Sequence, residues 1–525
     1  MSDTQRTTSP GTHPGTPAGA PGTVPTGARA GSLAGPAPTS RASGSDGPDP
    51  RAYPARAVVD LAAVRDNVRA LADLAPSSQV MAVVKADAYG HGLVASALGA
   101  LAGGATWLGT AQPGEALALR AAGVGPDRAR VLTWLYPPGA PLRDLVEADV
   151  DVSLAARWAV DEVVAAARAA GRTARVHLAV DTGLGRNGIM PADLPDVLDA
   201  VARAEAEGAV RVVGMWSHLA FADEPGHPTV VAQADVFDEA VREAARAGVV
   251  PELRHLANSA ATLTAPRTHY DLVRPGLAAY GMTPVPQLGP PSRFGLRPAM
   301  TLEARLATVK RVPGGHGVSY SHHYTTPQDT TLGVVPLGYG DGIPRHASGG
   351  GPAGAPGGPV LVGARPGEPG GRVVRVAGRV CMDQLVLDLG PDATERAGDV
   401  VTLFGAGAGV ARGGVPSAEG WAPAAGTISY EITTRLGARV PREHVGTHVL
   451  DDGARALLAR APRPHDSPAR TGRACAPART TRPRRPPPGG PRPTTPRAAS
   501  SCCPTPRRPA RSAAPSPRCC ARGTW

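Results

Sequence analysis

Lysine is the rarest basic residue of this chain, and its positions limit the chemistry that an amine can do. Of 55 basic residues only Lys85 and Lys310 are lysines, and the other 53 are arginines. An amine can lose its proton and form an imine with a carbonyl group, whereas a guanidinium cannot. Lys310, in ATVKRVPGG, fits an exposed position. Lys85 directly follows the apolar run Val80 to Val84, so we expect it at the end of a strand.

The residues after this lysine favour a binding site. In the string ADAYGHG, Tyr89 can donate a hydrogen bond to a phosphate or carboxylate, and Gly90 and Gly92 let a ligand approach the backbone. A single lysine after a strand is more often a surface residue. The scarcity of lysine and the glycine-rich context favour chemistry at Lys85 instead.

A repeating pattern of elements surrounds Lys85. Short apolar runs alternate with Ala- and Glu/Arg-rich helical stretches, which end at Gly123, Gly171, Gly208 and Gly248. The eight runs are QVMAVVK, TWLGT, RVLTWL, VDVSL, RVHLAV, RVVGMW, LRHLA and LVRPG. Eight strands alternating with helices predict an α/β fold, a (β/α)8 TIM-like barrel, whose active sites lie at the C-terminal ends of the strands.

The composition changes along the chain and predicts four regions. Residues 1–52 are Gly, Pro, Ser, Thr and Ala with few large apolar side chains, which predicts a disordered leader. Residues 53–290 are assigned to the barrel. Residues 291–450 read as strands and turns, which predicts a β-rich C-terminal domain. Residues 451–525 are predicted to be a disordered Pro/Arg-rich tail, because they contain no periodic apolar pattern.

The net charge of +11 belongs to this tail. Residues 461–525 hold 14 arginines against one acid, Asp466, a local charge of +13 that leaves −2 for the other 460 residues. The charge of −2 therefore argues against a nucleic-acid-binding surface on residues 1–460. In the tail, no aromatic residue that could stack on bases precedes Trp525. Five of the six cysteines lie there, and only Cys381 stands in patterned sequence. No run of 18 apolar residues suggests a membrane span, and we expect a cytoplasmic protein.

Seven strings in a fixed order point to one family. AVVKADAYGHG is followed by HLANSAAT, LVRPGLAAYG, GVSY, GYGDGIPR, GRVCMDQ and GTISYEI. Together they resemble the alanine racemase family over roughly residues 55–445. The resemblance implies pyridoxal 5′-phosphate (PLP) carried as an imine on Lys85, no metal ion, and a homodimer with shared active sites. It also implies interconversion of L-alanine and D-alanine, which supplies D-alanine for peptidoglycan.

The resemblance implies roles for the residues around the cofactor. Arg274 is expected to bond the pyridine nitrogen, and its permanent charge would keep that nitrogen unprotonated and the ring a weaker electron sink. His218 and His255 are expected to support the cofactor and Arg274. The residues expected around the phosphate are Tyr89, Ser259, Gly276, Leu277 and Tyr430.

Racemisation needs a base on each face of a planar carbanion. The resemblance implies Lys85 for one face and Tyr320, from the second subunit, for the other. It also implies that the main-chain N–H of Met382, with Asp383 beside it, binds the substrate carboxylate. It places Arg186 on the phenolic oxygen of the cofactor, where it also faces the substrate. Tyr339 would line the access to the site.

Two positions depart from the family. Many members carry a carbamylated lysine where this chain has Ala179, so Arg186 must be oriented in another way. Leu184 stands where methionine is frequent, a volume-conserving change.

Three alternatives remain open at the level of sequence. A decarboxylase or a broad-specificity racemase of the same fold group would share the lysine, although the CMD string and Tyr320 favour an alanine racemase. A PLP-binding protein without catalytic activity would lack the β-rich domain. A nucleic-acid-binding protein would depend on the basic tail alone.

Overall fold

The computed structural model describes residues 53–351, 354–365, 370–406 and 415–461. All of them belong to one compact unit, Met1–Ser467. The predicted leader, residues 1–52, and the basic segment 462–525 lie outside the described residues, so predictions about them stay predictions.

The predicted barrel is confirmed, and each of its strands lies on one of the eight apolar runs. A first strand, β1 (Ala55–Asp60), precedes it. The barrel strands are β2 (Gln79–Val83), β3 (Trp107–Thr110), β4 (Arg130–Thr133), β5 (Asp151–Leu154), β6 (Ala174–Ala179), β7 (Val210–Trp216), β8 (Leu253–His255) and β9 (Leu272–Val273). All are parallel and pair in chain order, and β9 returns to β2 with Leu272 opposite Gln79. A hydrogen bond of 3.0 Å from the Asp271 N–H to the Arg254 carbonyl links β9 to β8.

Amphipathic helices cover the outside of the barrel. The first begins after Asp60, whose carboxylate accepts from the Ala62 N–H at 2.8 Å. Its apolar side is fully buried, which includes Val64 and Val68. The helices are Leu61–Leu74, Leu93–Ala102, Pro113–Ala121, Leu142–Glu147, Arg157–Ala170, Leu194–Ala206, Pro228–Arg246 and Ser259–Thr264.

The second domain is β-rich, as predicted. Its strands are β10 (Met300–Arg305), β11 (Thr308–Val312), β12 (Gly317–Val318), β13 (Tyr324–Thr325), β14 (Thr330–Val335), β15 (Pro359–Val362), β16 (Arg372–Arg375), β17 (Leu385–Gly390), β18 (Val400–Phe404) and β19 (Arg442–Val445). One sheet has the order β16-β15-β18-β10-β1-β19, and a second has the order β11-β14-β17. The helices that follow within the described residues are Ala418–Ala425, Ser429–Thr434 and Asp452–Arg460.

Two boundaries differ from the sequence analysis. Strand β1 lies in the range assigned to the barrel, yet it pairs antiparallel with β10 and parallel with β19 of the second domain. Local periodicity cannot reveal such a pairing, because its partners lie hundreds of residues away. The range 451–525 was predicted to be disordered, which is wrong for the helix Asp452–Arg460. Asp451 caps this helix at the Ala454 N–H (2.6 Å), and Ala454 is buried.

Candidate active site

A cavity of about 210 Å³ opens at the C-terminal ends of the barrel strands. We call it the barrel-end cavity. The structure brings nine of the predicted site residues together in its wall: Lys85, Tyr89, Arg186, His218, Ser259, Arg274, Gly276, Leu277 and Tyr430. Four further residues complete the lining: Val83, Trp134, Trp216 and Asn258.

Lys85 enters the cavity from an unusual turn at the end of β2. The next four residues, Ala86 to Tyr89, have φ values between 53° and 55°, which form a left-handed turn without any glycine. Left-handed backbone costs an ordinary residue about 1–2 kcal/mol. Contacts from distant parts of the chain must therefore hold this turn.

Three contacts hold the left-handed turn. The Glu115 carboxylate accepts from the Ala86 N–H at 2.6 Å, and it also accepts from the N–H groups of Ala111 and Gln112. At the other end, Arg442 of strand β19 donates to the Gly90 carbonyl at 3.0 Å. His444 of the same strand contacts the His91 carbonyl at 3.0 Å. The second domain thus helps to fix the backbone that presents Lys85.

The surroundings of Lys85 favour its neutral form. Burial and then the guanidinium of Arg186 lower the pKa of Lys85; Arg274 acts in the same direction, and Glu115 opposes them. The amine also lies 5.8 Å from the centre of the Trp134 ring. A lysine with a lowered pKa is a better nucleophile and proton acceptor near neutral pH.

Arg274 follows β9 and is held from several sides. It donates to the Ser217 carbonyl at 2.6 Å, to the Leu256 carbonyl at 3.3 Å, and to Nδ1 of His255 at 3.2 Å. Its guanidinium lies 4.8 Å from the centre of the Trp216 ring. Burial, followed by repulsion from Arg186, lowers the pKa of Arg274 to about 9. It therefore remains a cation at neutral pH, with a fixed orientation.

A group of hydroxyl and amide donors lies at the other end of the cavity. Ser259 begins the helix Ser259–Thr264, and its hydroxyl oxygen accepts from the N–H groups of Gly276 (2.8 Å) and Ala278 (3.3 Å). A Cβ atom on Gly276 would lie 2.2 Å from the Tyr89 hydroxyl, so the close approach requires glycine. Burial raises the pKa of Tyr89, and it raises that of Tyr430 to about 12. Both phenols therefore stay protonated donors.

Arg186 lies on a loop that Asp181 organises. The Asp181 carboxylate accepts from the N–H groups of Gly183, Leu184 and Gly185 at 2.9, 3.0 and 3.1 Å. Burial opposes ionisation of Asp181, but these backbone donors lower its pKa overall. An ionised Asp181 thus fixes the loop and directs Arg186 toward the cavity. Ala179, the departure from the family pattern, is buried at the end of β6.

His218 is a neutral side chain at this site. Burial, then the charges of Arg274, Arg186 and Lys85, lower its pKa to about 3. Protonation of His218 would place a further positive charge beside Arg274 and Arg186, so His218 supports the site as a neutral side chain.

The structure does not place the remaining predicted residues in the wall of the barrel-end cavity: His255 of β8 contacts Arg274, and the other four belong to the second domain. These four form a second-domain cluster, Tyr320, Tyr339, Met382 and Asp383. Tyr320 is 68% exposed, Met382 54% and Tyr339 43%. The exposure leaves this cluster accessible to another molecule.

Three separate motifs meet in the second-domain cluster. The Ser319 hydroxyl, beside Tyr320, donates to the Arg379 carbonyl at 2.7 Å. The Gly340 N–H, beside Tyr339, donates to the Met382 carbonyl at 2.8 Å. Arg439 bridges to Asp383 at 2.8 Å. Cys381 is half-buried, and its sulfur lies 3.4 Å from the Ser319 hydroxyl.

Sequence reasoning missed several residues of the cavity wall, and also Glu115, which holds the left-handed turn. Trp134 and Trp216 lie at or just beyond the ends of β4 and β7, where the barrel prediction already places active-site residues. No sequence pattern marked Glu115, because acidic residues are common in the first turn of a helix. Its contact with Ala86 appears only in three dimensions.

Comparison with known proteins identifies the family. The described part of the chain combines a (β/α)8 barrel, with a lysine in the cavity at the ends of its strands, and a β-rich domain. Residues 59–284 match the alanine racemase N-terminal domain, and residues 299–444 match the alanine racemase C-terminal domain. The chain therefore belongs to the alanine racemase family and is an amino-acid racemase.

Individual relatives agree with this assignment. The alanine racemase of Streptomyces coelicolor is 59% identical over 393 residues, which cover 74% of this chain and 96% of the relative. The alanine racemase of Beutenbergia cavernae is 57% identical over 394 residues, which cover 75% of this chain and 98% of the relative. The crystal structure of alanine racemase from D-cycloserine-producing Streptomyces lavendulae superposes with a TM-score of 0.70 at 55% identity, over 76% of this chain and 99% of that one.

Proposed function

We propose that the protein interconverts L-alanine and D-alanine with PLP as cofactor and with Lys85 and Tyr320 as the two bases. The observation that carries the proposal is Lys85 at the end of β2, with a lowered pKa, in a cavity that also holds Arg274 and the hydroxyl donors. Relatives named alanine racemase across nearly their full length support alanine as the substrate.

The residues of the barrel-end cavity fit PLP. Lys85 offers an amine for the aldehyde carbon, and Arg274 offers a donor for the pyridine nitrogen. Glycine at position 276 leaves the space that a Cβ would fill, next to the Tyr89 hydroxyl. Around the phosphate we place Tyr89, Ser259, Gly276, Leu277 and Tyr430. PLP supplies an electron-withdrawing ring that acidifies the α-proton of a bound amino acid.

The charges of the cavity favour reversible proton removal over other outcomes. Arg274 remains a cation at neutral pH and gives no proton to the ring nitrogen, so the ring withdraws electrons less strongly. Lys85, with its lowered pKa, accepts the α-proton on one face. Arg186 would donate to the cofactor's phenolic oxygen and face the substrate, and the neutral His218 would support the cofactor without adding charge.

The wall of this chain's barrel-end cavity does not include Tyr320, the base that the family resemblance implies for the second face. We therefore assign that role to Tyr320 of a second subunit in a homodimer. The exposure of Tyr320 and Met382 supports this assignment, because a partner's cavity must be able to reach them. In the proposed dimer the Met382 N–H, with Asp383 beside it, binds the substrate carboxylate.

Borohydride reduction tests the cofactor proposal. We expect reduction of the holoenzyme to attach the cofactor permanently to the peptide that contains Lys85, which mass spectrometry detects. A coupled assay should detect D-alanine formed from L-alanine, with no release of CO2. Carbon dioxide as the main product would favour a decarboxylase instead.

The proposed cellular location is the cytoplasm. Among the described residues, no helix is both long enough and apolar enough to cross a bilayer. Cell fractionation with an antibody against the chain tests the location.

A further inference from the structure

Four polar side chains form a continuous chain through the interior of the barrel. Arg274 donates to Nδ1 of His255 at 3.2 Å, and Nε2 of His255 lies 2.9 Å from Nδ1 of His177. Nε2 of His177 lies 3.2 Å from Oδ2 of Asp151. All four side chains are buried. Branched apolar residues ordinarily fill a barrel interior, so ionisable groups here require an explanation.

The chemistry of Arg274 and Asp151, at its two ends, gives this row of hydrogen-bonded side chains one donor-to-acceptor direction. A guanidinium only donates hydrogen bonds, so Nδ1 of His255 must accept and its proton must sit on Nε2. That proton is donated to Nδ1 of His177, which places the second imidazole's proton on its own Nε2. A carboxylate only accepts, and Asp151 therefore demands the same arrangement from the opposite end. Burial lowers the pKa of both histidines, which keeps both rings neutral.

Packing fixes the rings in this geometry. A Cβ atom on Gly214 would lie 2.2 Å from Nδ1 of His177, so glycine makes room for the ring. The ring of Trp107 meets His177 edge-on at a centroid distance of 5.3 Å. Trp216 is parallel to His255 at 5.8 Å and also lies against Arg274. The packing of the barrel interior therefore holds the hydrogen-bonded row of side chains in place.

Two arginines hold the carboxylate at the far end. Arg130 and Arg175 each contact Asp151 at 2.7 Å, from the N-terminal ends of β4 and β6. Burial disfavours the charged form of Asp151, but the contacts with His177, Arg130 and Arg175 lower its pKa overall. The row of hydrogen-bonded side chains thus runs from the ionised carboxylate of Asp151 at one end of the barrel to the guanidinium of Arg274 at the other.

We propose that Asp151 and His177 are positioning residues for racemisation: they hold His255 as the Nε2–H tautomer, so that its Nδ1 keeps Arg274 directed at the pyridine nitrogen. The inference rests on the proposed function. With Arg274 held, the ring nitrogen stays unprotonated, and return of the proton to the α-carbon is favoured over transamination. Neither residue lines the barrel-end cavity, so both act through Arg274.

Histidine tautomers in the holoenzyme give a direct test. ¹⁵N NMR of the labelled side chains should show His255 and His177 as neutral Nε2–H tautomers across the neutral pH range. A His255 protonated on Nδ1 in the wild-type protein would overturn the inference, whatever any variant does. Absence of alanine racemisation by the wild type would instead overturn the proposed function, so the two failures are distinguishable.

A matched pair of variants tests the role in catalysis. Asp149 also pairs with Arg175 but stands outside the four-membered chain. Asp151→Asn should lower kcat by about tenfold or more, as loss of an outer hydrogen-bond partner does at other sites, with little change in KM. It should also raise the amount of pyruvate formed per racemisation. Asp149→Asn should leave both quantities within about twofold, and an equal effect of the two variants would contradict the proposal.

Variants at His177 cover the case in which Asp151→Asn does not fold. His177→Gln retains one donor and one acceptor and should keep the wild-type ratio of pyruvate to racemised alanine. His177→Leu has neither and should raise that ratio. The same ratio in both variants would mean that His177 contributes packing alone.

Discussion

The barrel-end cavity and the second-domain cluster carry one proposed base each, and they differ most in burial. Lys85 lies in an enclosed wall with its backbone, pKa and neighbours fixed within one chain. Tyr320 is 68% exposed and sits between residues of positive φ, Ser319 (63°) and Ser321 (60°). The difference supports the proposal that one half of the site is complete after folding, whereas a second subunit completes the other half.

The largest expected effect is at Lys85. Lys85→Arg can keep a positive charge but removes the amine proposed to bond covalently to PLP, so racemisation should be abolished. Circular dichroism and the melting temperature should stay close to wild type, because the long side chain is retained. Appreciable turnover together with a normal cofactor absorbance band would contradict the assignment of Lys85.

Removal of the second base should have a smaller effect. Tyr320→Phe should still bind PLP through Lys85, but racemisation should fall by roughly 10² to 10⁴, the range of a general acid–base residue. The family resemblance implies that Lys85 acts on the α-proton of D-alanine and Tyr320 on that of L-alanine. In deuterated water the variant should therefore exchange the α-hydrogen of D-alanine faster than that of L-alanine, since Lys85 remains on its own face. Equal exchange rates for the two enantiomers would argue against separate bases.

Mixed subunits test the contrast between the two regions directly. Inactive Lys85→Ala and inactive Tyr320→Phe chains should regain activity when they exchange, because one site of the hybrid then has both bases. If verified exchange restores nothing, the two residues serve the same chain's site and the dimeric proposal must be withdrawn.

A glycine in the barrel-end cavity should give a moderate effect. The new methyl group of Gly276→Ala would collide with the Tyr89 hydroxyl, and overpacking of this kind costs about 1–3 kcal/mol. PLP affinity, measured by fluorescence titration, should fall at least about tenfold, which corresponds to ~1.4 kcal/mol. Gly114→Ala is the matched control, since open space surrounds its Cβ position. Unchanged affinity in Gly276→Ala would show that the phosphate does not bind there.

The smallest effect is expected from the basic tail. Removal of residues 462–525 should change kcat little and alter the free energy of unfolding by less than about 1 kcal/mol, because the sequence has no apolar pattern that could pack. Urea titration of the full and shortened chains measures this difference. A larger loss of stability would mean that the tail contacts the enzyme.

Short sequence patterns predicted those parts of the molecule whose structure depends on neighbouring residues in the sequence. Each barrel strand is a short apolar run between turn residues, so the eight strands and the ends of several helices could be located. The left-handed turn after Lys85 could not, because Glu115 and Arg442 hold it from 29 and 352 residues away. The same reason hid Asp151 and His177, which look like ordinary strand residues until the barrel closes.

The left-handed turn also has a consequence for the order of events during synthesis. Lys85 is translated early, whereas Arg442 and His444, which fasten Gly90 and His91, emerge from the ribosome more than 350 residues later. A nascent barrel therefore carries the reactive amine before its backbone can be locked. On the proposed function, capture of the cofactor's aldehyde would follow translation of β19, so that cofactor loading would be a late, post-translational step of maturation.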